Sequence, residues 1–300
     1  MLSRPSPLIQ WENPVPHDLT DPVLVCYLDG WIDAGYGAQA AMGSLKQQIR
    51  THRLVSFNID DLIDFRARRP AMRLINGINT ALQWPRLQMR HGRDANGRDV
   101  LVLTGPEPDF RWLSFTDAIV ELAQKLGVKL LVNLGAFPAP VPHTRPVSLG
   151  STATTQELAE QIGYIDAAFE VPAGVSAALE RGFAEHGMEA TGVWARVPHY
   201  VSQMLYPAAS IAILEGVSRV SGLTFDTSGL ASQAVQIDEQ IRALVANNPE
   251  HQEMVSQLET QVDANAFDGA TGRMVAPLDE TQIVSGDILA AEFEKFLREQ

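Results

Sequence analysis

His143, Thr144 and Arg145 are consecutive in a proline-rich stretch and combine a titratable ring, a hydroxyl and a planar charged donor. Such a group could bind an anion and transfer a proton. The tripeptide Val-Pro-His occurs twice, ending at His143 and at His199. Because proline fixes the backbone before each ring, we expect both histidines to be held rigidly.

An acid and two hydroxyls complete the candidate site. Ser151 and Thr152 precede a helical pattern, where free N–H groups at a helix start would add donors. Asp33 lies in a glycine-rich turn between an apolar run and a helical pattern, as in a phosphate-binding loop. The glycines lack dinucleotide-binding spacing, so a tight crossover with Asp33 as helix cap is the competing interpretation. The predicted ligand-binding residues are Asp33, His143, Arg145, Ser151, Thr152 and His199.

Four apolar runs predict the sheet that would position these residues: 23–28, 54–59, 128–134 and 188–197. We expect a mostly parallel central sheet with helices on both faces, an α/β fold of three layers. The carboxyl ends of parallel strands line one edge, where ligands bind in such folds. The two histidines and Asp33 should therefore meet at that edge. The prolines after Gly135 predict a stiff, irregular loop.

The other patterns divide the chain into two parts. Residues 1–225 form the predicted α/β domain with a proline-rich N-terminal arm, and residues 226–300 form a helical C-terminal extension. The domain contains a hairpin turning at Asn96-Gly97 and helices at 38–49, 110–126, 156–162, 174–186 and 207–217. The predicted helices of the extension are 230–245, 249–262 and 285–297.

Composition excludes several classes of protein. The 300 residues are 45% hydrophobic and 20% charged, which is enough for a sizeable core. No apolar run approaches the ~20 residues of a membrane helix, so we expect a cytoplasmic protein without membrane contact. Asp60 and Asp61 have no His or Glu at ligand spacing, and we predict neither metal nor cofactor. The single cysteine, Cys26, is expected to be a buried thiol.

Charge is distributed unevenly. The net charge is −13, yet residues 46–98 hold 11 Lys or Arg against 4 Asp or Glu, whereas residues 226–300 hold 4 against 14. An acidic chain without a basic stripe argues against nucleic acid. The arginines pair either with acids of the same chain or with those of a neighbouring subunit. We predict a homo-oligomer, with a trimer as one candidate state, in which some of Arg66, Arg68, Arg69 and Arg73 meet a neighbour's acids.

Several segments together resemble a known family. They are LDGWIDAG at 28–35, PAPVPHTRP at 138–146, TAT at 152–154, VPHYVS at 197–202, YPAA at 206–209 and SGDILAAEFEKFL at 285–297. In this order they are similar to the bacterial branch of the proteasome assembly chaperone 2 family. The resemblance implies a three-layer α/β/α domain similar to the purine nucleoside phosphorylase-like architecture, self-association and no established enzymatic activity.

Two functions follow from these observations. The preferred one is a non-enzymatic protein-binding or regulatory protein that resembles the assembly chaperones and binds itself or another protein. The alternative is a small-molecule site, for a nucleoside- or phosphate-like anion, in a binding protein or a hydrolase- or phosphorylase-like enzyme. Family members that dock on the proteasome end in a hydrophobic residue, tyrosine and any residue. This chain ends Arg298-Glu299-Gln300, so the resemblance does not extend to docking through the C-terminus.

Overall fold

A computed structural model describes residues 8–14, 16, 18–165, 168, 170–264 and 273–274. Its strands are β1 (Ile9–Trp11), β2 (Val23–Asp29), β3 (His52–Phe57), β4 (Ala71–Ile75), β5 (Ile78–Gln83), β6 (Gln88–Arg93), β7 (Asp99–Pro106), β8 (Leu130–Ala139), β9 (Leu149–Ala153), β10 (Tyr164–Ile165), β11 (Glu189–Pro198) and β12 (Arg273–Met274). Its α-helices are α1 (Gly37–Gln48), α2 (Ile59–Leu62), α3 (Trp112–Leu126), α4 (Gln156–Ile162), α5 (Val175–Glu185), α6 (Pro207–Ser221), α7 (Ser228–Ala246) and α8 (Pro249–Ala264).

Eight strands form the central sheet in the order β1-β3-β6-β7-β2-β8-β11-β9. The central strands β7, β2, β8 and β11 are mutually parallel. Strand β6 runs antiparallel to both β3 and β7, so β3 points the same way as the central four. Strands β1, β6 and β9 run in the opposite direction. The mostly parallel sheet is confirmed, and all four predicted apolar runs are strands of one direction.

Side chains of the central strands alternate between two cores, as the pleat of a strand requires. Val23 and Val25 face a core closed by α1, α4, α6 and α7. Leu24 and the buried Cys26 face a core closed by α3 and α5. Helices therefore cover both faces of the sheet, and the predicted three-layer α/β/α fold is confirmed.

Local signals in the sequence also agree with the structure. Asn96-Gly97 turns the antiparallel pair β6–β7, with Gly97 at φ 81°. Gly127 ends α3 in the left-handed conformation, with φ 68°. The side chain of Asn248 accepts from the N–H of Glu250 at 2.9 Å, at the start of α8. Two helices of the predicted extension are present, and the expected helix at 285–297 lies outside the described residues.

The stretch after Gly135 departs from the prediction of an irregular loop. Strand β8 continues to Ala139 and includes Pro138. At Pro138 it pairs with β11 only, because pairing with β2 ends at Asn133 and the bridge to Asp33 is made at Ala136. A missing N–H is tolerated on an unpaired side. Strand β9 then pairs antiparallel with β11 at the edge of the sheet.

Strands β4 and β5 form a separate hairpin that the sequence analysis missed. Its turn is Asn76-Gly77, both with positive φ, and every residue from Ala71 to Gln83 is exposed. The hairpin leaves the domain between β3 and β6. At its base the rings of Phe65 and Trp84 pack edge to face with centroids 4.9 Å apart. No helix in the described part is long and apolar enough to cross a membrane.

Candidate functional site

The His143 loop, residues 140–148, joins β8 to β9 and is fixed by Tyr200. The backbone N–H of His143 donates to the Tyr200 hydroxyl at 2.8 Å, and the same oxygen lies 2.8 Å from His143 Nδ1. Because the hydroxyl accepts from the backbone, its own proton is free to be donated to Nδ1. The arrangement favours a neutral ring. Burial also lowers the pKa of His143.

His199 lies beside the same tyrosine. The rings of His143 and His199 pack edge to face against Tyr200, with centroid distances of 5.9 and 5.4 Å. Burial lowers the pKa of His199, although the Ala139 backbone opposes that shift. The two histidines therefore converge at the carboxyl edge, as the repeated tripeptide predicts. Whether they bind a ligand stays a prediction.

Arg145 is occupied by acids of α8. Its Nε and Nη2 atoms donate to the two carboxylate oxygens of Asp263 at 2.9 and 2.7 Å, and Nη1 lies 3.2 Å from Glu259. Thr144 donates to the same Glu259 carboxylate. These bonds raise the pKa of Arg145 and lower that of Asp263. An anion at Arg145 would have to displace two carboxylates.

A cleft of about 530 Å³ lies between the His143 loop, the start of α6 and one side of α7. Its charged lining residues are Arg145, Asp238, Glu239 and Arg242, and His143 also lines it, whereas His199 does not. Arg242 pairs with Asp238 at 2.6 Å on the same helix. The other lining residues are mostly apolar: Pro146, Val147, Tyr206, Pro207, Ala208, Ala234, Val235 and Ile237.

Asp33 acts as the cap of α1, the competing interpretation of the glycine-rich turn. Its two carboxylate oxygens accept from the N–H groups of Ala38 and Gln39 at 2.8 and 2.9 Å. The hydroxyl of Tyr27 lies 3.1 Å from Oδ2. Burial raises the pKa of Asp33, while the backbone donors oppose that shift. The carboxylate already occupies the position that a phosphate would take at this helix start.

Ser151 and Thr152 are not brought together with His143. Both lie in β9, opposite Val193 and Gly192 of β11, whereas the carboxyl end of β11 is at Pro198. The Ser151 hydroxyl lies 3.0 Å from the Gly163 carbonyl and 3.2 Å from the Ala159 carbonyl, and shares its one proton between them. The residue that caps α4 is Thr155, whose side chain accepts from the Leu158 N–H at 3.3 Å. The expectation that both hydroxyls stand at a helix start is wrong, because the chain forms an edge strand first.

Thr152 belongs instead to a polar cluster around Glu180, in which Asn133 is buried and Thr152 itself is exposed. The Glu180 Oε1 atom accepts from Thr152 Oγ1 and from Asn133 Nδ2, each at 3.0 Å. Trp194 Nε1 donates to Thr152 Oγ1 at 3.3 Å. Burial raises the pKa of Glu180, and the two donors oppose that shift. Sequence reasoning missed this cluster, and Asn133 within an apolar strand was the one signal of it.

The PAC2 family model matches residues 27–245, most of the α/β domain and α7. The chain belongs to the PAC2 family. A Mycobacterium tuberculosis protein of unknown function shares 36% identity and a TM-score of 0.80, over 87% of this chain and 92% of its own. No functionally curated protein matches the sequence at a significant level.

Two further PAC2-like structures bear names connected with the proteasome. A proteasome-assembly chaperone homologue from Mycobacterium tuberculosis is 33% identical, with a TM-score of 0.72 over 78% of this chain and 99% of its own. An archaeal proteasome activator from Pyrococcus furiosus has a TM-score of 0.59 at 15% identity, over 79% of this chain and 97% of its own. At that identity the second likeness shows the fold alone.

Proposed function

We propose that this PAC2 protein is a non-enzymatic, chaperone-like protein that binds other proteins through the carboxyl edge of its sheet. The observation that carries the proposal is the exposure of large apolar side chains there. Trp31, Ile32 and Tyr36 follow β2, and Leu205 follows β11; they are 45%, 43%, 47% and 41% exposed. These four residues are the edge surface. Exposed apolar patches on a folded protein commonly mark interaction sites.

The edge surface is held on rigid backbone. The Gly35 N–H donates to the Ser202 carbonyl at 2.6 Å, and the Tyr206 N–H donates to the Gly35 carbonyl at 2.9 Å. The segments carrying Tyr36 and Leu205 are thus joined directly. Gly35 has φ 65°, and a Cβ there would lie 2.8 Å from the Cβ of Tyr206. Rigid aromatic side chains bind with little loss of conformational entropy, and Trp and Tyr are enriched among energetically dominant interface residues.

The charged residues of the candidate site are already bonded within the chain, which supports protein binding over small-molecule chemistry. Arg145 is paired with Glu259 and Asp263, and Asp33 is saturated by α1 and Tyr27. Arg145 therefore presents no free positive charge to an anion, and the Asp33 carboxylate would repel one. The likeness to a proteasome-assembly chaperone homologue at 33% identity supports a role in assembling other protein subunits.

The test uses the full chain with purified proteasome α- and β-type subunits of its own organism. Native mass spectrometry would measure binding, and light scattering would follow the rate of particle assembly. We expect the protein to bind subunits and to change that rate. The double substitution Trp31→Ala and Tyr36→Ala should weaken binding at least about tenfold, as loss of dominant interface residues does.

A matched control is Leu244→Ala, because Leu244 is 62% exposed on α7, outside the edge surface. It should bind like the wild type, and all variants should keep the wild-type melting temperature. Absence of any subunit binding by the wild type contradicts the assembly role. Unchanged binding by the double variant contradicts the assignment of the edge surface.

A further inference from the structure

Arg196 is a half-buried cation without a compensating charge. It lies in β11, and its Nε atom is buried and has no hydrogen-bond partner. Its guanidinium forms no ion pair with any carboxylate in the described part of the chain. Burial lowers the pKa of Arg196, and no charge among the described residues contributes to that shift. A desolvated, unpaired charge destabilises a folded protein, so this arginine indicates a site that is completed by a ligand.

The Arg196 side chain lies on the face of the sheet that α5 packs against. A Cβ at Gly192 would lie 2.5 Å from Trp194 Nε1 and 3.0 Å from the carboxylate of Glu180 in α5, so Gly192 and Trp194 share this face. Because side chains alternate along a strand, Arg196 is on the same face.

Helix α5 does not reach as far as Arg196. Because α5 leads into the amino end of β11, its start is the part nearest to the carboxyl edge. That start lies at Asn133, whose Nδ2 donates to the Ser176 carbonyl at 3.2 Å. Phe137, four residues further along β8 and about 13 Å away, is the residue opposite Arg196. Phe137, Trp194 and Arg196 are accordingly only half-buried.

This area adjoins the edge surface at Trp31. A Cβ at Gly174, immediately before α5, would lie 2.9 Å from Trp31 Cδ1, which places the indole on the α5 face as well. Asp33 forms a bridge with Ala136 of β8, and β8 is the neighbour of β11. Two strand spacings, about 10 Å, therefore separate the segment after β2 from β11. One partner can contact both Trp31 and Arg196.

The charge of the site favours a carboxylate. A guanidinium binds a carboxylate through two parallel N–H···O bonds, and one singly charged group balances one arginine. A phosphate group carries close to two negative charges at neutral pH, and no second cation among the described residues acts on Arg196. Phe137 and Trp194 supply aromatic surface for the remainder of the ligand.

We propose that Arg196 binds a carboxylate of the partner protein, carried on or beside an aromatic or apolar residue that packs against Phe137 and Trp194. The carboxylate is either the carboxyl terminus of the partner or an acidic side chain. The inference rests on the proposed function, because it defines the chemistry of the partner that contacts the edge surface. It adds one charged contact to that apolar surface.

The first test uses small probes and the indole N–H signal of Trp194 in heteronuclear NMR spectra of the full chain. N-acetylphenylalanine has a free terminal carboxylate, and a capped tripeptide with glutamate between two phenylalanines has only a side-chain carboxylate. Comparison with Trp194→Phe assigns the signal. At least one carboxylate probe should shift it, whereas N-acetylphenylalanine amide, which lacks the charge, should not. The probe that binds more tightly identifies the source of the carboxylate.

The second test separates a binding role of Arg196 from a structural one. Arg196→Met should weaken binding of the carboxylate probe at least about tenfold and should raise the melting temperature of the free protein by at least about 2 °C, because a desolvated charge is removed. A structural arginine would lose stability on the same change. Arg196→Lys keeps the charge without the planar fork and should also weaken binding.

The matched control is Arg181→Met in α5, because the guanidinium of Arg181 is already paired with Glu185 on the protein surface. It should change neither probe binding nor the melting temperature. In the subunit-binding assay proposed above, Arg196→Met should weaken binding at least about tenfold, and Arg181→Met should not.

Failure of both carboxylate probes to shift the Trp194 signal overturns the inference and leaves the proposed function standing, since the apolar edge surface can bind without a charge. Equal probe binding by wild type and Arg196→Met also overturns it, as does tighter binding of phenyl phosphate than of either carboxylate probe. If the probes bind and the purified subunits do not, the proposed function fails and the carboxylate site at Arg196 stands.

Discussion

The hydroxyl of Tyr200 bonds both the backbone nitrogen and the ring of His143, each at 2.8 Å. This one group therefore fixes His143, a loop residue 57 positions earlier in the chain. Tyr200→Phe removes both bonds and leaves a buried N–H and Nδ1 without partners. We expect the free energy of unfolding to fall by about 1–3 kcal/mol, the usual cost of unsatisfied buried polar groups.

Urea denaturation at pH 7.5 measures this loss. Tyr36→Phe is the control, because Tyr36 is 47% exposed, and its loss should be within about 0.5 kcal/mol, as for surface substitutions. Equal stability of Tyr200→Phe and wild type would show that the two bonds contribute nothing to the fold.

Stability should decline below neutral pH partly because of His143. Burial lowers its pKa in the folded state; Arg242 acts in the same direction, and Asp238 and Glu259 oppose it. The unfolded chain then binds more protons, so stability is complete above the unfolded pKa of about 6.5 and is lost as pH falls through it. His143→Asn keeps a hydrogen-bonding group near Nδ1 without titrating.

This variant should reduce the slope of unfolding free energy between pH 7 and 5. The slope should not vanish, because burial also lowers the pKa of His52 and His199. Urea denaturation midpoints of the variant and the wild type, measured at half-unit pH intervals, give this slope. An unchanged slope would mean that His143 has the same pKa in the folded and unfolded states.

Arg145 should control the attachment of α8 to the domain. Arg145→Met removes the bonds to Asp263 and Glu259 that join the His143 loop to that helix. We expect faster amide exchange in Pro249–Ala264, with little change in the melting temperature because the three paired side chains are 30–56% exposed to solvent. High salt should bring the wild type towards the variant.

Arg181→Met provides a comparison for the α8 experiment, since the partner of Arg181 is Glu185 within α5. It should leave exchange in α8 unchanged. Equal exchange of α8 in wild type and Arg145→Met would contradict the attachment.

Asp33 should contribute to stability as a helix cap. Asp33→Ala leaves the N–H groups of Ala38 and Gln39 without their acceptor and should cost about 0.5–2 kcal/mol, the range for lost caps. Asp33→Asn keeps one acceptor oxygen and should cost less. Thermal denaturation of the wild type, Asp33→Asn and Asp33→Ala should give melting temperatures that decrease in that order. An Asp33→Ala protein as stable as the wild type would exclude capping.

The fold was predictable where local sequence and burial agree. The apolar runs behind β2, β8 and β11 have no stable position except inside a sheet covered on both faces. Asn96-Gly97 and Gly127 mark a turn and a helix end whose backbone conformations glycine adopts easily. The same Asn-Gly signal at 76–77 is not sufficient to predict a hairpin, because β4 and β5 have no buried face that would distinguish them as strands.

The candidate site was less predictable because its chemistry depends on distant partners. Arg145 and Asp263 are 118 residues apart in the sequence. The residues near Arg145 in the sequence therefore do not indicate that its charge is paired. His143 and His199 could be placed at one edge from strand order alone. Their shared contact with Tyr200 could not, since it depends on how the turn after β11 lies against the loop after β8.

The contact between Phe65 and Trp84 at the base of the β4–β5 hairpin separates the hairpin from the residues that determine the fold. Because the rings of Phe65 and Trp84 meet where the hairpin leaves and returns, residues between them can be lengthened, shortened or replaced without altering the register of β3 against β6. Core residues maintain the architecture, whereas the hairpin residues 71–83 are all exposed and contribute nothing to the core. The exposed residues of the hairpin can therefore be exchanged without disturbing the α/β/α core.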